Sequence, residues 1–193
     1  MKLFALTKNK ITLNKLNQPI LCIAEIPALL QYLREEIGSD AAILLYDESF
    51  PEVREVLTHL LYCYPSLRTH ALNDPQLYEW IESIAKNIIT IKGCHFHKDD
   101  IIYLEKAGRK LTFHLKDYTR SLTISMVALP DLDALGLVRC HESYVINLKH
   151  LSGVSAQNFI LSNKAMVPVS RPYLKVLQKY RRLLRREQSP AND

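Results

Sequence analysis

The sequence predicts two domains: a small α/β domain with a parallel sheet, then a mostly-β domain of antiparallel sheets that ends in a basic helix. Strand-like and helix-like segments alternate through the first half, as in a parallel sheet with crossover helices. From residue 88 the segments shorten and apolar residues alternate with polar ones, as in antiparallel strands. Charge divides at the same place, with 8 basic and 11 acidic residues in 1–90 but 17 basic and 9 acidic residues in 91–193. We therefore predict domains at 1–90 and 91–187, and a frayed tail at 188–193.

The first half is predicted to hold four strands and three helices. Ile26, Leu29, Leu33 and Ile37 recur at helical spacing, and Gly38 follows as a stop signal. Residues 41–46 are apolar without interruption, as expected of a strand buried on both faces. The predicted strands are 3–6, 20–24, 41–46 and 67–72, and the predicted helices are 26–37, 53–62 and 75–86, the last one capped by Asn73-Asp74-Pro75.

The second half is predicted to consist of short strands joined by turns. The strands are 101–105, 111–115, 121–124, 138–146, 159–161 and 165–169, with turns at 107–108, 116–117, 152–153 and 162–163. Pro172 then precedes a helix at 174–184 that is rich in Lys and Arg. A basic module of this kind is expected to face a polyanion.

Composition and motifs favour a cytoplasmic protein that is not an enzyme. No apolar run approaches the roughly 18 residues of a membrane span, and the apolar start is too short for a secretory signal. Nucleophile-elbow, P-loop, dinucleotide and H-E-x-x-H motifs are absent, and there are only five glycines. The four cysteines are scattered without a C-x-x-C pair, as buried thiols usually are. We predict no cofactor.

Two clusters of reactive side chains need a separate judgement. His95 and His97 share a face if they lie on a strand, with Cys94 beside them, but a zinc site needs a third and usually a fourth ligand, so no metal is predicted. In an extended segment 138–146, Cys140 would face the core while Arg139, His141, Ser143 and Val145 form the other row. Such a row suits phosphate oxygens, but a solvated strand face explains it equally well.

Three ordered motifs stand in the second half. They are D-I-I-Y-L-E at 100–105 followed by Gly108-Arg109, R-C-H-E-S-Y-V-I-N at 139–147, and V-P-V-S-R-P-Y at 167–173. Together they resemble the LytTR DNA-binding domain of bacterial transcription regulators, over roughly residues 92–180. The resemblance implies a mostly-β LytTR-type fold of antiparallel sheets with a short helix, which reads double-stranded DNA through loops in the major groove.

The resemblance also implies which residues contact DNA. Carried over position by position, they are Lys106, Arg109 and Lys110, then Arg139, His141, Glu142 and Ser143, then Ser170 and Arg171, with Lys149 in addition. Arg109 and Arg171 suit bidentate contacts to guanine, whereas His141, Ser143 and Lys149 suit phosphate contacts.

One position departs from the family pattern, which often has Arg or Asn where this chain has Glu142. A carboxylate can accept from cytosine N4, which would alter the DNA preference. Alternatively, Glu142 pairs with Arg139 or Arg109 and weakens binding. The basic residues of the last helix either touch the DNA backbone or form a solvated face, and the sequence favours neither.

The first half resembles a shortened phosphoacceptor receiver. Residues 43–51 match its third strand, with Asp47 in the phosphoacceptor's place and Pro51 after it. Phosphoryl transfer to an aspartate needs Mg²⁺ held by further carboxylates, but the residues that follow the first strand are Thr7-Lys8-Asn9-Lys10, and the closing lysine strand is missing. Lys8 or Lys10 would take the metal's place if it came close to Asp47. The alternative is a turn or capping role for Asp47.

These features predict a sequence-specific transcriptional regulator that acts independently of phosphorylation. We expect a homodimer on repeated half-sites, with the N-terminal domain serving for dimerisation or for binding a regulatory protein partner. Two alternatives stay open: a response regulator activated by phosphorylation of Asp47, and a protein-interaction module whose LytTR-type domain has lost its DNA affinity.

Overall fold

A computed structural model of the protein describes residues 2–9, 20–37, 40–50, 52–129 and 131–187. It divides into two compact units, Met1–Lys98 and Asp99–Asp193, and each is described by itself. The domain boundary predicted after residue 90 precedes this division. The expectations for Lys10, Gly38, Pro51 and the tail at 188–193 lie outside the described residues.

Unit 1 is built on a parallel sheet, as predicted. Its strands are β1 (Lys2–Leu6), β2 (Leu21–Ile23), β3 (Ala42–Tyr46) and β4 (Leu67–Ala71), in the order β2-β1-β3-β4. Its helices are α1 (Ile26–Tyr32), continued by a π-helical turn Leu33–Ile37, α2 (Val53–Cys63) and α3 (Leu77–Lys86). Helix α3 begins two residues later than predicted because the Asp74 carboxylate accepts from the Gln76 amide and makes a turn there.

The two faces of this sheet have separate cores, which explains the unbroken apolar run of β3. Alternate residues such as Phe4 and Leu44 pack with α1 and α2, while Ile43 and Leu45 pack with Ile81 of α3. Burial of the central strands on both sides leaves polar chemistry to the loops at their carboxyl ends, where Asp47 lies.

A two-stranded hairpin, β5 (Ile88–Ile91) and β6 (Cys94–His97), completes unit 1. Its turn holds Lys92 and Gly93 at positive φ. The Ala41 amide donates to the His95 carbonyl, and the buried His97 has Nε2 3.1 Å from the Ser66 carbonyl oxygen. These two histidines therefore have roles in attaching the hairpin. No group of three or more His, Cys, Asp or Glu residues in the described part of the chain is arranged to hold a metal.

The described part of unit 2 contains two antiparallel sheets and one α-helix. Strands β7 (Ile101–Ala107), β8 (Lys110–Leu115), β9 (Thr119–Thr123), β10 (Leu137–Arg139) and β11 (Tyr144–Asn147) form a sheet in the order β10-β11-β7-β8-β9. Strands β12 (Leu151–Val154), β13 (Asn158–Leu161) and β14 (Met166–Pro168) form the second, before α4 (Leu174–Glu187). Short 3₁₀ turns lie at Met126–Ala128, Leu148–His150 and Arg171–Tyr173.

Two predictions for unit 2 are wrong. Residues 138–146 are not one strand: β10 and β11 pair with each other, Arg139 opposite Val145, and residues 140–143 form the connection. The predicted row of side chains therefore does not exist, and Val145 is buried. Ser152-Gly153 is not a turn but part of β12, where a register shift between Leu151 and Gly153 absorbs an extra residue.

The second sheet and α4 enclose a core that reaches the 140–143 connection. Cys140, Ile146, Phe159 and Leu177 are buried together in it. The Tyr180 ring meets the Phe159 ring edge to face, with centroids 6.2 Å apart. Helix α4 is thereby fixed to the strands that position the site.

Candidate nucleic-acid interface

Two backbone hydrogen bonds bring three separate segments together in unit 2. The Lys106 amide at the end of β7 donates to the Ser143 carbonyl over 2.8 Å, and the Ser170 amide donates to the Cys140 carbonyl over 3.1 Å. The β7–β8 turn, the 140–143 loop and the segment after β14 therefore form one surface, here called the three-segment surface. All three motifs of the sequence contribute to it.

Four cations of this surface are available to a ligand. The side chains of Lys106, Arg109, Lys110 and Arg171 are exposed and, within the described residues, make no hydrogen bond or ion pair. Gly108 adopts φ +59° between them, a value that lets the turn reverse tightly without a strained side chain. The outcome is a local excess of positive charge in which none of the four cations is ion-paired with a carboxylate of the described residues.

Arg139 is half-buried and bonds to the backbone of the 140–143 loop. Its Nε donates to the His141 carbonyl over 3.3 Å, and its Nη2 donates to the Glu142 carbonyl over 3.1 Å. A guanidinium presents several donors in one plane, so a single side chain contacts both carbonyls. The His141 carbonyl also accepts from the Tyr144 amide over 3.4 Å, whereas the Glu142 carbonyl has Arg139 as its partner.

His141 is held in a defined orientation. Its Nδ1 accepts from the Ser143 amide over 3.0 Å, which assigns the proton of the neutral ring to Nε2. The ring lies against Tyr144, with centroids 5.5 Å apart and planes at 57°. Nε2 is therefore the ring atom that can donate to an incoming acceptor such as a phosphate oxygen.

Glu142 is exposed beside these cations and its carboxylate is unpaired within the described residues. Its pairing with Arg139 or Arg109, one of the two expectations for this residue, is not formed, because Arg139 contacts the Glu142 carbonyl instead. A shallow depression of about 290 Å³ lies between Lys106, Gly108, Glu142 and Ser143. An acceptor and a donor of opposite charge thus line the same recess.

The structure places the remaining predicted contacts in different surroundings. Ser170 belongs to the three-segment surface but is half-buried beside the 140–143 loop, where its carbonyl accepts from the Tyr173 amide. Lys149 lies beyond the opposite end of β11, and its Nζ is 2.5 Å from Asp99 Oδ1. In α4, the Arg181 guanidinium donates to the carbonyls of Ser155 and Ala156, so this arginine anchors the β12–β13 turn.

Next to the three-segment surface lies a network of polar side chains that the sequence did not predict. The Tyr144 hydroxyl donates to Glu105 Oε1 over 2.9 Å, and His114 Nε2 is 3.1 Å from Glu105 Oε2. His114 also stacks on Tyr103, with centroids 4.0 Å apart. The bond to Glu105 raises the pKa of Tyr144, while burial and then the Glu105 charge raise the pKa of Tyr103. These residues are cross-strand neighbours, and only a known register identifies them.

Cys140, despite its reactive neighbours, is a packing residue. Its side chain is buried, and desolvation raises the pKa of the Cys140 thiol to about 12. The Sγ atom lies 3.7 Å from the Tyr144 carbonyl oxygen. A thiol with that pKa carries almost no thiolate at neutral pH and is not a nucleophile there.

Asp47 lies at the carboxyl end of β3 in a second depression, lined also by Thr7, Asn9, Ser49 and Asn73 among others. Its Oδ1 accepts from the Ser49 amide over 2.9 Å. Hydrogen bonds from the Ser49 side chain and amide, with a smaller one from Thr7, lower the pKa of Asp47 against the effect of burial. The Asp47 carboxylate is therefore ionised and set in a turn. The Lys8 ammonium lies 5.6 Å from the centre of the Phe50 ring.

An antiparallel β unit that presents unpaired cations on neighbouring loops carries the kind of charge that attracts a nucleic-acid backbone. Residues 94–182 match the family model described as the LytTr DNA-binding domain. The match assigns residues 94–182, somewhat under half of the chain, to the LytTr DNA-binding domain.

Other comparisons add context. Among solved structures, the chain is similar to the LytTr DNA-binding domain of a protein assigned as a methyl-accepting/DNA response regulator from Bacillus cereus. Identity is 20%, the TM-score is 0.37, and the match covers 48% of this chain and 92% of that one. A search of curated proteins found no match. None of the helices in the described residues has both the length and the apolar character needed to cross a membrane.

Proposed function

We propose that the protein recognises specific double-stranded DNA sequences by placing the three-segment surface in the major groove. The observation that carries this proposal is the pair of backbone bonds that joins two cation-bearing segments and the 140–143 loop into one surface. Phosphates attract such a surface irrespective of sequence, and side chains that reach base edges supply the discrimination. The major groove, about 12 Å wide, admits a pair of antiparallel strands with their turn.

Within this surface, Arg109 and Arg171 are the proposed readers of guanine. Each is exposed and without an intramolecular partner in the described residues, so its planar guanidinium can make two bonds to one base. Lys106, Lys110, His141, Ser143 and Ser170 then make or support phosphate contacts that set the register. Arg139 does not contact DNA itself but supports binding by stabilising the 140–143 loop.

Glu142 is the proposed source of an altered DNA preference. Its carboxylate is exposed next to Lys106 and accepts no hydrogen bond within the described residues. A carboxylate repels phosphates but accepts well from the amino group of cytosine. The neighbouring cations offset the repulsion, so Glu142 selects against bases that offer only acceptors at its position.

Lys149 is proposed as a phosphate contact outside the three-segment surface. Its ion pair with Asp99 is substantially exposed, with relative side-chain accessibilities of 64% and 38%. Exposed pairs contribute little, about 0–1 kcal/mol, so a phosphate can displace the carboxylate. This contact extends the footprint along the duplex.

We further propose that residues 1–90 act in dimerisation or partner binding and that residues 91–187 bind DNA, as a homodimer on repeated half-sites. Regulation is proposed to be independent of phosphorylation. The support is the surroundings of Asp47, where the neighbours from the loop after β1 are Thr7 and Asn9 rather than carboxylates that could hold Mg²⁺. The other carboxylate of this depression, Glu48, accepts from the Asn73 side-chain amide over 3.0 Å.

The test is DNA binding by wild-type protein, Arg171→Ala and the matched variant Arg171→Lys. Bound fragments are first selected from genomic DNA to obtain a site, and affinity is then measured against single-base variants and against salt. Arg171→Ala should cost about 1–3 kcal/mol and lose preference at one base pair. Arg171→Lys should keep the salt dependence of binding but lose the preference at the same base pair. Lysine keeps the positive charge but lacks the planar pair of N–H donors that a guanidinium offers to one base.

Two results would contradict this proposal. Affinity that hardly changes with salt would mean that no phosphates are neutralised, and would favour an interaction module without DNA affinity. An unchanged base preference in both Arg171 variants would remove the assignment of base contact to this residue.

A further inference from the structure

Helix α2 of unit 1 carries an exposed pair of metal-ligand side chains. His59 and Cys63 are four residues apart, so both project from one face of the helix. His59 Nε2 lies 3.6 Å from Cys63 Sγ, and both residues are exposed. Neither belongs to the three-segment surface or to the depression at Asp47.

The distance between these atoms fits a specific geometry. Zinc binds imidazole nitrogen at about 2.0–2.1 Å and thiolate sulfur at about 2.3 Å in a tetrahedron, which places the two ligand atoms about 3.5–3.6 Å apart. The separation of the two atoms thus matches one edge of a zinc tetrahedron. A weak S–H···N hydrogen bond holds the pair at this distance.

The pair alone is half of a site. Structural zinc sites use four ligands, and within the described residues no third His, Cys, Asp or Glu joins this pair. Tyr62, the residue before Cys63, is also largely exposed, at 85%. A second copy related by a two-fold axis would bring an identical pair and would cover the Tyr62 ring beside it.

We propose that His59 and Cys63 bind zinc together with the same two residues of a second copy, forming a Cys₂His₂ bridge between two chains. Each thiol releases its proton to solvent on binding, so two protons leave for every zinc bound, and no oxidation occurs. The bridge would join two DNA-binding domains and raise their joint affinity for paired half-sites. That consequence rests on the proposed function, whereas the zinc-dependent dimer does not.

The experiment measures mass and zinc content of the full chain. Metal-free protein, kept reduced, is titrated with zinc, and its molar mass is followed by light scattering after gel filtration. Cobalt titration then reports the ligand set, since tetrahedral cobalt with thiolate ligands has characteristic visible bands. Variants are His59→Ala and Cys63→Ser, with Thr58→Ala on the same helix and Cys22→Ser as matched controls.

The expected result is a dimer with about one zinc per two chains. EDTA should reverse it, and both His59→Ala and Cys63→Ser should abolish it while the controls retain it. Circular dichroism should show that all four variants are folded, because the substituted side chains of α2 are exposed.

Three results would overturn the proposal. Zinc bound at about one per chain without a change in mass would mean that no second copy completes the site. A dimer that survives EDTA and dissociates in reductant would be a disulfide. Zinc binding that persists in both ligand variants would place the metal elsewhere. Loss of DNA binding with the dimer intact would contradict the proposed function but not this inference.

Discussion

Replacing Arg139 by alanine distinguishes a loop-organising arginine from one that contacts phosphate. Arg139 makes two hydrogen bonds to loop carbonyls, at 3.3 and 3.1 Å. Bonds from a charged donor are worth about 1.5–3 kcal/mol when buried, and the half-buried position of Arg139 reduces this to about 1 kcal/mol each. The loop should therefore lose about 2 kcal/mol of stabilisation, an upper limit of roughly 30-fold in DNA affinity.

The discriminating quantity is the slope of log affinity against log salt concentration. Each phosphate contact contributes about −0.9 to this slope, whichever side chain makes it. Arg139→Ala should weaken binding and leave the slope unchanged, because its guanidinium is engaged with the protein. Lys110→Ala is the matched control: this lysine is exposed and unpaired in the described residues, so its loss should make the slope shallower by about 0.9.

The assay is fluorescence anisotropy of a labelled duplex at several salt concentrations. Hydrogen exchange of the loop amides gives a second measurement, since Arg139→Ala should speed the exchange of residues 140–144 where Lys110→Ala should not. If Arg139→Ala made the salt slope shallower by as much as Lys110→Ala does, and left the hydrogen exchange of the loop amides unchanged, Arg139 would be a phosphate contact. The argument from its bonds to the loop carbonyls would then be refuted.

Three further predictions concern buried and titrating groups. Tyr144→Phe, which removes the bond to Glu105, should reduce the free energy of unfolding by about 1–2 kcal/mol at neutral pH. Because the folded pKa of Tyr144 is raised, this contribution is complete below about pH 10 and is lost as the pH rises through the folded pKa, so denaturation curves of the two proteins should converge there. Incubation with Mg²⁺ and acetyl phosphate should add no mass of about 80 Da, whereas an adduct that Asp47→Asn abolishes would establish phosphorylation. In the native protein with EDTA, iodoacetamide at about pH 8 should label Cys63 and spare Cys140, and equal labelling would show that the 140–143 loop opens readily.

The local pattern of apolar and polar residues was sufficient to predict most of the secondary structure. The apolar run of β3 and the helical spacing in α1 predicted a parallel α/β unit, and alternation in 101–115 predicted antiparallel strands. Both are short-range signals, because side-chain periodicity follows directly from the geometry of a strand or a helix. The three motifs likewise indicated the class of the second domain, which the family match bears out.

Errors arose where the outcome depended on distant pairing. Residues 138–146 look like one strand, yet Arg139 pairs with Val145 across a turn, since the register of β11 against β7 decides where the chain reverses. The bulge of β12 follows from its pairing with β13 in the same way. Periodicity records which residues prefer burial but carries no information on which strand lies beside which.

By itself, the sequence determined the classes of both domains, the charge of the DNA-binding half and the identity of the candidate contact residues. Only the tertiary structure decided which of them lie together: Lys106 and Ser170 join the 140–143 loop, Arg139 bonds to the loop backbone, and Lys149 stands apart. The physical reason is the distance along the chain over which each interaction acts. Residue type and spacing set local conformation and net charge, whereas convergence of segments some 30 residues apart depends on backbone hydrogen bonds that form only once the whole sheet has assembled.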